Sequence, residues 1–172
     1  MKTLHRSRKG GFTLIELLVV IAIIAILTGI IITNLVASKA KSRDAKRASD
    51  LSQIALALEQ YFDRCDEYPP NPLSLSADGP SPGLVDCPKN NGTQITLGSF
   101  ISVIPTDPSS GNAYGYFPNP NIQPPSDYVL YTTFEASNSV LSQSAPNPTS
   151  WFPTSIFDCS DATHFNYCVR PN

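Results

Sequence analysis

Glu16 is a lone acid inside an apolar stretch, and its surroundings limit the chemistry that it can do. Residues 12–32 are almost wholly apolar, and no Lys or Arg occurs between Gly10 and Lys39. A carboxylate placed in a bilayer core costs several kcal/mol, so such a group is usually functional or paired. Glu16 is therefore a candidate ion-pair partner, and the dipole at a helix start also favours an acid there.

A pair of glycines stands directly before the apolar run. Gly10 and Gly11 follow a leader whose basic residues include Arg8 and Lys9, and Phe12 begins the run. A small residue without a β-carbon lets a peptidase reach an extended backbone. The plain interpretation of the glycine pair is a linker, but a linker does not explain the spacing from Phe12 to Glu16.

The four cysteines all lie downstream of the apolar run, at Cys65, Cys87, Cys159 and Cys168. An even number of cysteines in an exported region indicates two disulfides. A metal site is disfavoured because no pair of cysteines has C-x2-C spacing. Three pairings remain open, and Cys65–Cys87 with Cys159–Cys168 is expected because nearest neighbours have the lowest closure cost.

Charge is unevenly distributed along the chain. From Ala48 onward there are three bases and twelve acids, a net charge of −9, which argues against nucleic-acid binding by this region. A basic cluster lies between the apolar run and this acidic region, and we expect it to face anionic lipid headgroups. Its members are Lys39, Lys41, Arg43, Lys46 and Arg47.

One long helix must carry the N-terminal motif. The almost wholly apolar run of 21 residues spans about 30 Å as a helix, which is the thickness of a bilayer core. A buried helix of a soluble protein would be shorter, and a cleaved secretory signal would have its small residues after the run. The apolar periodicity then continues as one helical stripe, and the absence of proline predicts a single helix from near Phe12 to about Asp63. The stripe consists of Leu51, Ile54, Ala55, Leu58, Tyr61 and Phe62.

The region after this helix is rich in turns and short elements. Two prolines after Tyr68 end the helix. Helical spacing from Leu97 to Ile104 predicts a short helix, and residues 113–117 and 127–134 predict two strands. A third strand is weakly indicated at residues 139–141. We expect the aromatic residues to pack on the helix stripe rather than form a binding platform; they are Tyr114, Tyr116, Tyr128, Tyr131 and Phe134.

The N-terminal stretch from Gly10 to Val20 resembles the prepilin signature of type IV pilins and type II secretion pseudopilins. The resemblance implies cleavage between Gly11 and Phe12 by a membrane prepilin peptidase, N-methylation of Phe12, and an assembly role for Glu16. In a filament, Glu16 would pair with the Phe12 amine of a neighbouring copy rather than with its own. Many relatives carry a proline where this chain has Thr33, so the resemblance does not imply a locally melted helix here.

The head carries a second resemblance, to the major pseudopilin of type II secretion. It lies in Glu67-Tyr68-Pro69, in the stretch from Ile104 to Pro108 and in residues 111–116. In that relative a calcium ion can bind in a nearby loop, which makes Asp107 a candidate calcium-loop residue. The alternative, that Asp107-Pro108 and Ser110-Gly111 simply form turns, is favoured.

These observations predict an α+β fold in which a long N-terminal helix packs on a small antiparallel sheet, as in pilins. The expected organisation is a leader at residues 1–11, a transmembrane or filament-core segment at 12–35, an amphipathic half of the same helix at 36–63, and a loop-rich head at 64–172. No catalytic constellation, cofactor site or phosphate loop is recognised, so we expect no enzymatic activity and no cofactor.

The expected function is that of a prepilin, a structural subunit polymerised through its N-terminal helix. One alternative is a major-pseudopilin-like subunit of a type II secretion system, and another is a membrane-tethered binding domain that never polymerises. The expected partners are other copies, prepilin peptidase, an inner-membrane assembly platform and the lipid bilayer, with no specific nucleic acid. The expected location is the bacterial cytoplasmic membrane, crossed once with the head outside, and then an extracellular or periplasmic filament.

Overall fold

The computed structural model describes residues 11–69, 95–122, 124–137, 139–148, 150–155, 157–161 and 163–171, with the backbone alone at residues 30–34. The chain divides into two compact units, Met1–Lys39 and Ala40–Asn172.

Helix α1 runs over Leu14–Cys65. Its sequence contains no proline and a single glycine, Gly29, so the backbone meets no strong helix breaker. The helix ends where Asp66 adopts a left-handed conformation with φ of 61°, ahead of Pro69. This confirms the prediction of one long N-terminal helix.

The N-terminal part of α1, as far as Leu27, presents apolar side chains in every direction. Phe12 is 92% exposed and Leu14 82% exposed, and the large apolar residues as far as Leu27 are all about half exposed or more. Over the ranges that the structure describes, no helix has the length and hydropathy required to cross a membrane.

The second unit is built around the buried stripe of α1. Leu51, Ile54, Leu58 and Tyr61 are fully buried, whereas Ala55 and Phe62 lie half-buried at the edges of the stripe. The stripe packs against tyrosine and leucine side chains from the sheet and its flanks, namely Tyr114, Tyr116, Tyr128, Leu130, Phe134 and Tyr167. The predicted packing of aromatic residues on the helix therefore holds for four of the five named residues.

The sheet has three antiparallel strands in the order β1-β2-β3. They are β1, Gly115–Pro118; β2, Tyr128–Thr133; and β3, Asn166–Val169. Gly115 pairs with Tyr131, and Thr132 pairs with Tyr167. The first two strands were predicted, and the helix with its antiparallel sheet confirms the α+β class.

The prediction of a third strand at residues 139–141 is wrong. This segment is part of a 3-10 helix, Ser139–Gln143, and the place beside β2 is taken by β3. The outer edge of β3 is covered by the segment that follows this 3-10 helix, because the amide of Ala145 donates to the carbonyl of Cys168 at 2.9 Å. The predicted helix over residues 97–104 forms only its first turn, Leu97–Ser99, and Phe100 caps that turn by donating its amide to the carbonyl of Leu97.

The face of the sheet turned away from α1 carries a second, smaller cluster. Val129, Phe152, Cys159 and Cys168 are buried there. Tyr131, the fifth of the named aromatic residues, also lies on this face, with its ring centroid 4.6 Å from that of Phe157. The C-terminal segment therefore serves as the cover of the outer sheet face.

Candidate functional site

The start of α1 is closed by a reciprocal cap between Thr13 and Glu16. The backbone amide of Thr13 donates to Glu16 Oε2 at 2.8 Å, and the Thr13 hydroxyl donates to the same oxygen at 2.7 Å. The Glu16 amide points back at Thr13 Oγ1, 3.3 Å away. This is the capping box T-x-x-E, in which each side chain satisfies an amide at the free end of the helix.

The cap holds the carboxylate one turn from the predicted cleavage point. Among the described residues, Glu16 has no Lys or Arg partner, and Oε1 accepts no hydrogen bond. Phe12 is almost fully exposed, and a side chain built on Gly11 would meet nothing within 4 Å. Residues 11–12 are therefore open to an enzyme, although cleavage at Gly11, methylation of Phe12 and an assembly role for Glu16 stay predictions.

The sequence signal for this cap was present but not used. Thr-x-x-Glu directly before an apolar run is itself a helix-start signature. Glu16 was treated in the sequence analysis as an unpaired charge in an apolar segment, whereas its carboxylate accepts hydrogen bonds from Thr13 in the same chain.

The cysteines lie in the head. Cys159 and Cys168 form a disulfide with 5.6 Å between their α-carbons, which ties the C-terminal loop to β3. Cys65, at the end of α1, is also disulfide-bonded. Its expected partner, Cys87, lies outside the described residues.

A buried ion cluster joins α1 to two distant loops. Arg47 is 3% exposed, and its Nε donates to Asp107 Oδ2 at 2.6 Å. Its Nη2 lies 2.8 Å from Glu135 Oε1. The same guanidinium donates to Asp44 Oδ1 at 2.7 Å. Arg43 completes the cluster with a bidentate pair to Glu135. Because buried charge is tolerated only when it is paired and hydrogen-bonded, these contacts fix where the two loops meet the helix.

Asp44 caps the second of these loops. Its side chain is fully buried, and its two oxygens accept the backbone amides of Glu135 and Ala136 at 2.8 and 3.0 Å. Asp50, also buried, accepts the hydroxyl of Tyr114 at 2.8 Å. Asp44, Arg47 and Asp50 are not members of the apolar stripe, yet they are buried in the head, where their partners lie 60 to 92 residues away in sequence.

The basic cluster that was expected to face lipid headgroups is only partly available at the surface. Arg43 and Arg47 form ion pairs with acidic residues of the head. Lys46 Nζ lies 3.2 Å from Asp50 Oδ1. Lys39 and Lys41 are exposed. Lys46 is exposed as well, so three of the five residues keep their charge at the surface, whereas Arg47 is buried and Arg43 is paired with Glu135.

Asp107 uses its carboxylate within the chain. Besides Arg47, its oxygens accept the amides of Ser109 and Ser110 at 2.8 and 2.9 Å and the Ser110 hydroxyl at 3.2 Å. In the described part of the chain, no group of three or more His, Cys, Asp or Glu side chains is arranged to hold a metal ion. The observed role of Asp107 is to organise a turn and anchor it to α1.

The ion cluster shifts the acidity of its members. The hydrogen bond from Arg47, with those from Ser110 and Ser109, holds the pKa of Asp107 well below its usual range. The hydrogen bonds from Arg43 and Ser109 do the same for the pKa of Glu135. Both carboxylates therefore remain charged under ordinary conditions and keep the helix and loops together.

Comparison with known proteins bears on the N-terminus and on the head. Residues 6–32 match the family model of the prokaryotic N-terminal methylation motif. The chain is 32% identical over 111 residues to the type II secretion system core protein G of Aeromonas hydrophila, covering 64% of this chain and 74% of the relative.

Two pilus proteins are also similar. The type IV wide pilus major component PilA4 of Thermus thermophilus is 33% identical over 136 residues, which cover 79% of this chain and 96% of the relative. The type IV major pilin protein PilA of Myxococcus xanthus is 39% identical over 61 residues, 36% of this chain and 28% of the relative. No solved structure matches the chain.

A capped apolar helix that bears a methylation motif and continues beneath a small antiparallel sheet defines a prepilin-type structural subunit. The relatives are components of pili or of a secretion system, so the class is that of structural subunits. The chain belongs to the type IV pilin and type II secretion pseudopilin family.

Proposed function

We propose that this prepilin-type subunit is cut between Gly11 and Phe12 by prepilin peptidase, methylated on Phe12, and polymerised through residues 12–35 into a type IV pilus on the cell surface. The observation that carries the proposal is the exposure of the first apolar turns of α1. From Phe12 to Leu27 the large apolar side chains remain open to solvent within a single chain. That much apolar surface requires an apolar cover, and helices of other copies would supply it in a filament.

Before assembly, the same apolar surface needs lipid. We place the precursor in the bacterial cytoplasmic membrane, crossed once with the head outside, where it would meet the peptidase and an inner-membrane assembly platform. Lys39 and Lys41 are exposed beyond the apolar stretch and suit contact with anionic headgroups. When a subunit moves from the membrane into a filament, its apolar side chains would lose contacts with lipid and gain contacts with the helices of other copies.

Glu16 would help to set the position of the subunit as it enters the filament. The Thr13 donors engage Oε2 and leave Oε1 for a second donor. The methylated amine of a neighbouring Phe12 could donate to that oxygen without breaking the cap. A pair formed away from water is stronger than the same pair in solution, so it would favour insertion of a subunit in register.

The pilus is favoured over a secretion pseudopilus by the extent of the likeness. The pilus component of Thermus thermophilus is matched over 96% of its length, compared with 74% for core protein G of Aeromonas hydrophila. The second candidate, a type II secretion pseudopilin, is supported by the similarity to core protein G from several bacteria.

Processing is tested by mass spectrometry of the protein from sheared filaments and membranes. We expect a mature N-terminus at Phe12 carrying one added methyl group. Gly11→Val should block the cut and leave the precursor in the membrane, while the matched change Gly10→Val should leave cleavage intact. A full-length chain in assembled filaments would exclude the processing step.

The two filament systems are distinguished by deleting the gene. Loss of sheared surface filaments, with normal release of folded exoproteins, is the result expected for a pilus. Intact surface filaments together with exoproteins retained in the periplasm would instead establish the secretion candidate.

A further inference from the structure

Glu67, directly after the end of α1, is a buried acid without a partner. It is 6% exposed, and its Oε1 is buried without a hydrogen bond. Within the described part of the chain, no positive charge is paired with its carboxylate. Buried charge is normally paired and hydrogen-bonded, as it is around Arg47, so the state of this carboxyl group needs a separate explanation.

The backbone on both sides of Glu67 is fixed. Before it, Cys65 is fully buried and disulfide-bonded, and Asp66 turns the chain in a left-handed conformation with φ of 61°. After it, the amide of Tyr68 donates to the carbonyl of Pro125 at 2.8 Å. The burial of Glu67 is therefore imposed by its neighbours in the chain and not by a partner of its own.

The ring of Tyr68 joins the end of the helix to the sheet. Its centroid lies 4.6 Å from that of Phe62 on α1 and 4.7 Å from that of Tyr128 on β2. We call the contacts that Tyr68 makes with Phe62, Pro125 and Tyr128 the helix-end junction. Since Glu67 immediately precedes Tyr68, it cannot move outward without disturbing this junction.

The surroundings of Glu67 do not compensate a negative charge. Burial raises the pKa of Glu67, and burial together with the charge of Glu67 raises the pKa of Tyr61 to about 12. The Tyr61 hydroxyl is itself buried without a hydrogen bond. Of the described bases on the elements that meet here, Arg64 is exposed and Arg170 is paired with Asp127. The other ionisable groups of these elements are Glu59, Asp63, Asp66, Tyr68 and Tyr128.

We propose that Glu67 carries a proton in the folded head and that its ionisation loosens the helix-end junction. A neutral carboxyl group costs far less to bury than a carboxylate. Once ionised, the group needs water, which it reaches only if the chain around Tyr68 moves outward. The junction is thus a pH-sensitive contact that is closed in acid and weakened as the pH rises. This property is separate from polymerisation and does not depend on which filament the subunit builds.

The sign of the effect follows from the two states of the chain. Glu67 ionises at its ordinary pKa of 4.5 in the unfolded chain and at a higher value in the folded head. Below 4.5 both states hold the proton, so the group adds no pH dependence there. As the pH rises above this value, the unfolded chain releases its proton first, and the head loses stability until the folded state is ionised as well. Asp107 and Glu135, whose pKa values are lowered, act in the opposite direction.

The test is urea unfolding of the full-length protein in dodecyl maltoside, at about pH 4 and at about pH 8. Fluorescence of Trp151, the single tryptophan of the chain, reports on the head. Glu67→Gln keeps the shape of the side chain and removes its charge. We expect the urea midpoint of this variant, relative to that of the parent, to be higher at the upper pH than at the lower one. The contributions of Asp107 and Glu135 are common to both proteins and cancel in this difference.

Glu59→Gln is the matched control. It makes the same chemical change at an exposed carboxylate that accepts a hydrogen bond from the Tyr68 hydroxyl at 3.2 Å. Its midpoint relative to the parent should show no comparable rise with pH.

A second measurement reports on the junction directly. Mass spectrometry follows hydrogen exchange at the Tyr68 amide, expressed as protection relative to the intrinsic rate at each pH. We expect the protection of the parent, divided by that of Glu67→Gln, to fall as the pH rises. Protection of the amides of β2 should show a smaller change.

Two results would overturn the proposal. A midpoint difference between Glu67→Gln and the parent that is the same at both pH values, or smaller at the upper one, would show that the folded head does not hold this proton. A Tyr68 protection ratio that does not change with pH would show that the junction stays closed when Glu67 ionises.

Discussion

The Glu16 carboxylate is already engaged within its own helix. Its oxygen Oε2 accepts two hydrogen bonds from Thr13, whose hydroxyl in turn lies 3.3 Å from the Glu16 amide. Replacing Glu16 therefore removes a helix cap as well as a charge. A loss of assembly in a Glu16 variant would not by itself identify an intersubunit ion pair.

Thr13→Val separates these two contributions. It removes the hydroxyl of the cap and costs about 1 kcal/mol of helix stability, but it retains the Glu16 charge. We expect Thr13→Val to lower filament yield slightly and Glu16→Ala to lower it severely, because only the latter removes the partner of the incoming amine. Glu16→Gln should fall between them. The measurement is the ratio of sheared filament to mature subunit in the membrane, at equal expression. If Thr13→Val and Glu16→Ala lowered the filament yield equally, the role of Glu16 would be that of a helix cap alone.

Arg47 joins three carboxylates of the head, those of Asp44, Asp107 and Glu135. Arg47→Ala leaves the fully buried Asp44 without its ion partner, and breaking such a pair costs about 3–5 kcal/mol. Urea unfolding at neutral pH measures the loss. Arg47→Lys should be milder, while Lys46→Ala, whose partly exposed pair joins it to Asp50, should cost less than about 1 kcal/mol.

The same cluster gives the free energy of unfolding a defined dependence on pH. The ordinary pKa values are 3.8 for Asp107 and 4.5 for Glu135, and both are lower in the folded state. Their stabilising contribution is therefore complete above these values and is lost progressively as the pH falls below them. We expect the difference in unfolding free energy between the parent and Arg47→Ala to shrink in acid. A difference that is constant between neutral pH and pH 3 would contradict this account.

At the scale of elements, the pairing of β1 with β2 depends on one glycine. Gly115 lies opposite Tyr131, and a methyl group at this position would overlap the ring. Gly115→Ala should destabilise the head by about 1–3 kcal/mol, as overpacking does elsewhere. Thermal unfolding measures the effect. In a Tyr131→Leu background the same change should cost less, because the obstructing ring is gone; equal costs in both backgrounds would refute the steric explanation.

Elements with a strong local signal were predictable from the sequence. The apolar stripe through Leu51, Ile54 and Leu58 repeats with the helical period and predicts both the helix and its buried face. Strands β1 and β2 are rich in aromatic and β-branched residues. Strand β3 was missed because its sequence, Asn-Tyr-Cys-Val, has a single aromatic residue and follows a turn-rich segment.

The ion cluster was not predictable for a different reason. Asp44 and Arg47 are ordinary charged residues for an exposed helix face, and nothing local marks them as buried. Their burial depends on Asp107 and Glu135, which are remote in sequence and could not be assigned to them from spacing alone. The N-terminal cap, in contrast, is a local pattern and was available in the sequence.

At the scale of the whole molecule, the two units separate the apolar stretch from the head. The two clusters of buried apolar residues described above lie within Ala40–Asn172, as do Arg47 and its acidic partners. We expect a chain that begins at Ala40 to fold as a soluble monomer with one cooperative unfolding transition. Light scattering after size exclusion and urea unfolding provide the measurement. Aggregation, or the absence of a transition, would show that the head needs residues 12–39 to fold.

The contact between Asp44 and the amides of Glu135 and Ala136 spans 91 and 92 residues, which has a consequence for the order of folding. During synthesis the helix emerges first, whereas the amides that Asp44 requires are made only after most of the head. Until then the carboxylate must stay hydrated, so this side of the helix cannot close early. Closing such a long segment also carries a large entropic cost before any contact repays it. We therefore expect docking of residues 135–136 on the helix to be a late step of maturation, and nascent chains that end before residue 135 to leave this part of the helix accessible to chaperones.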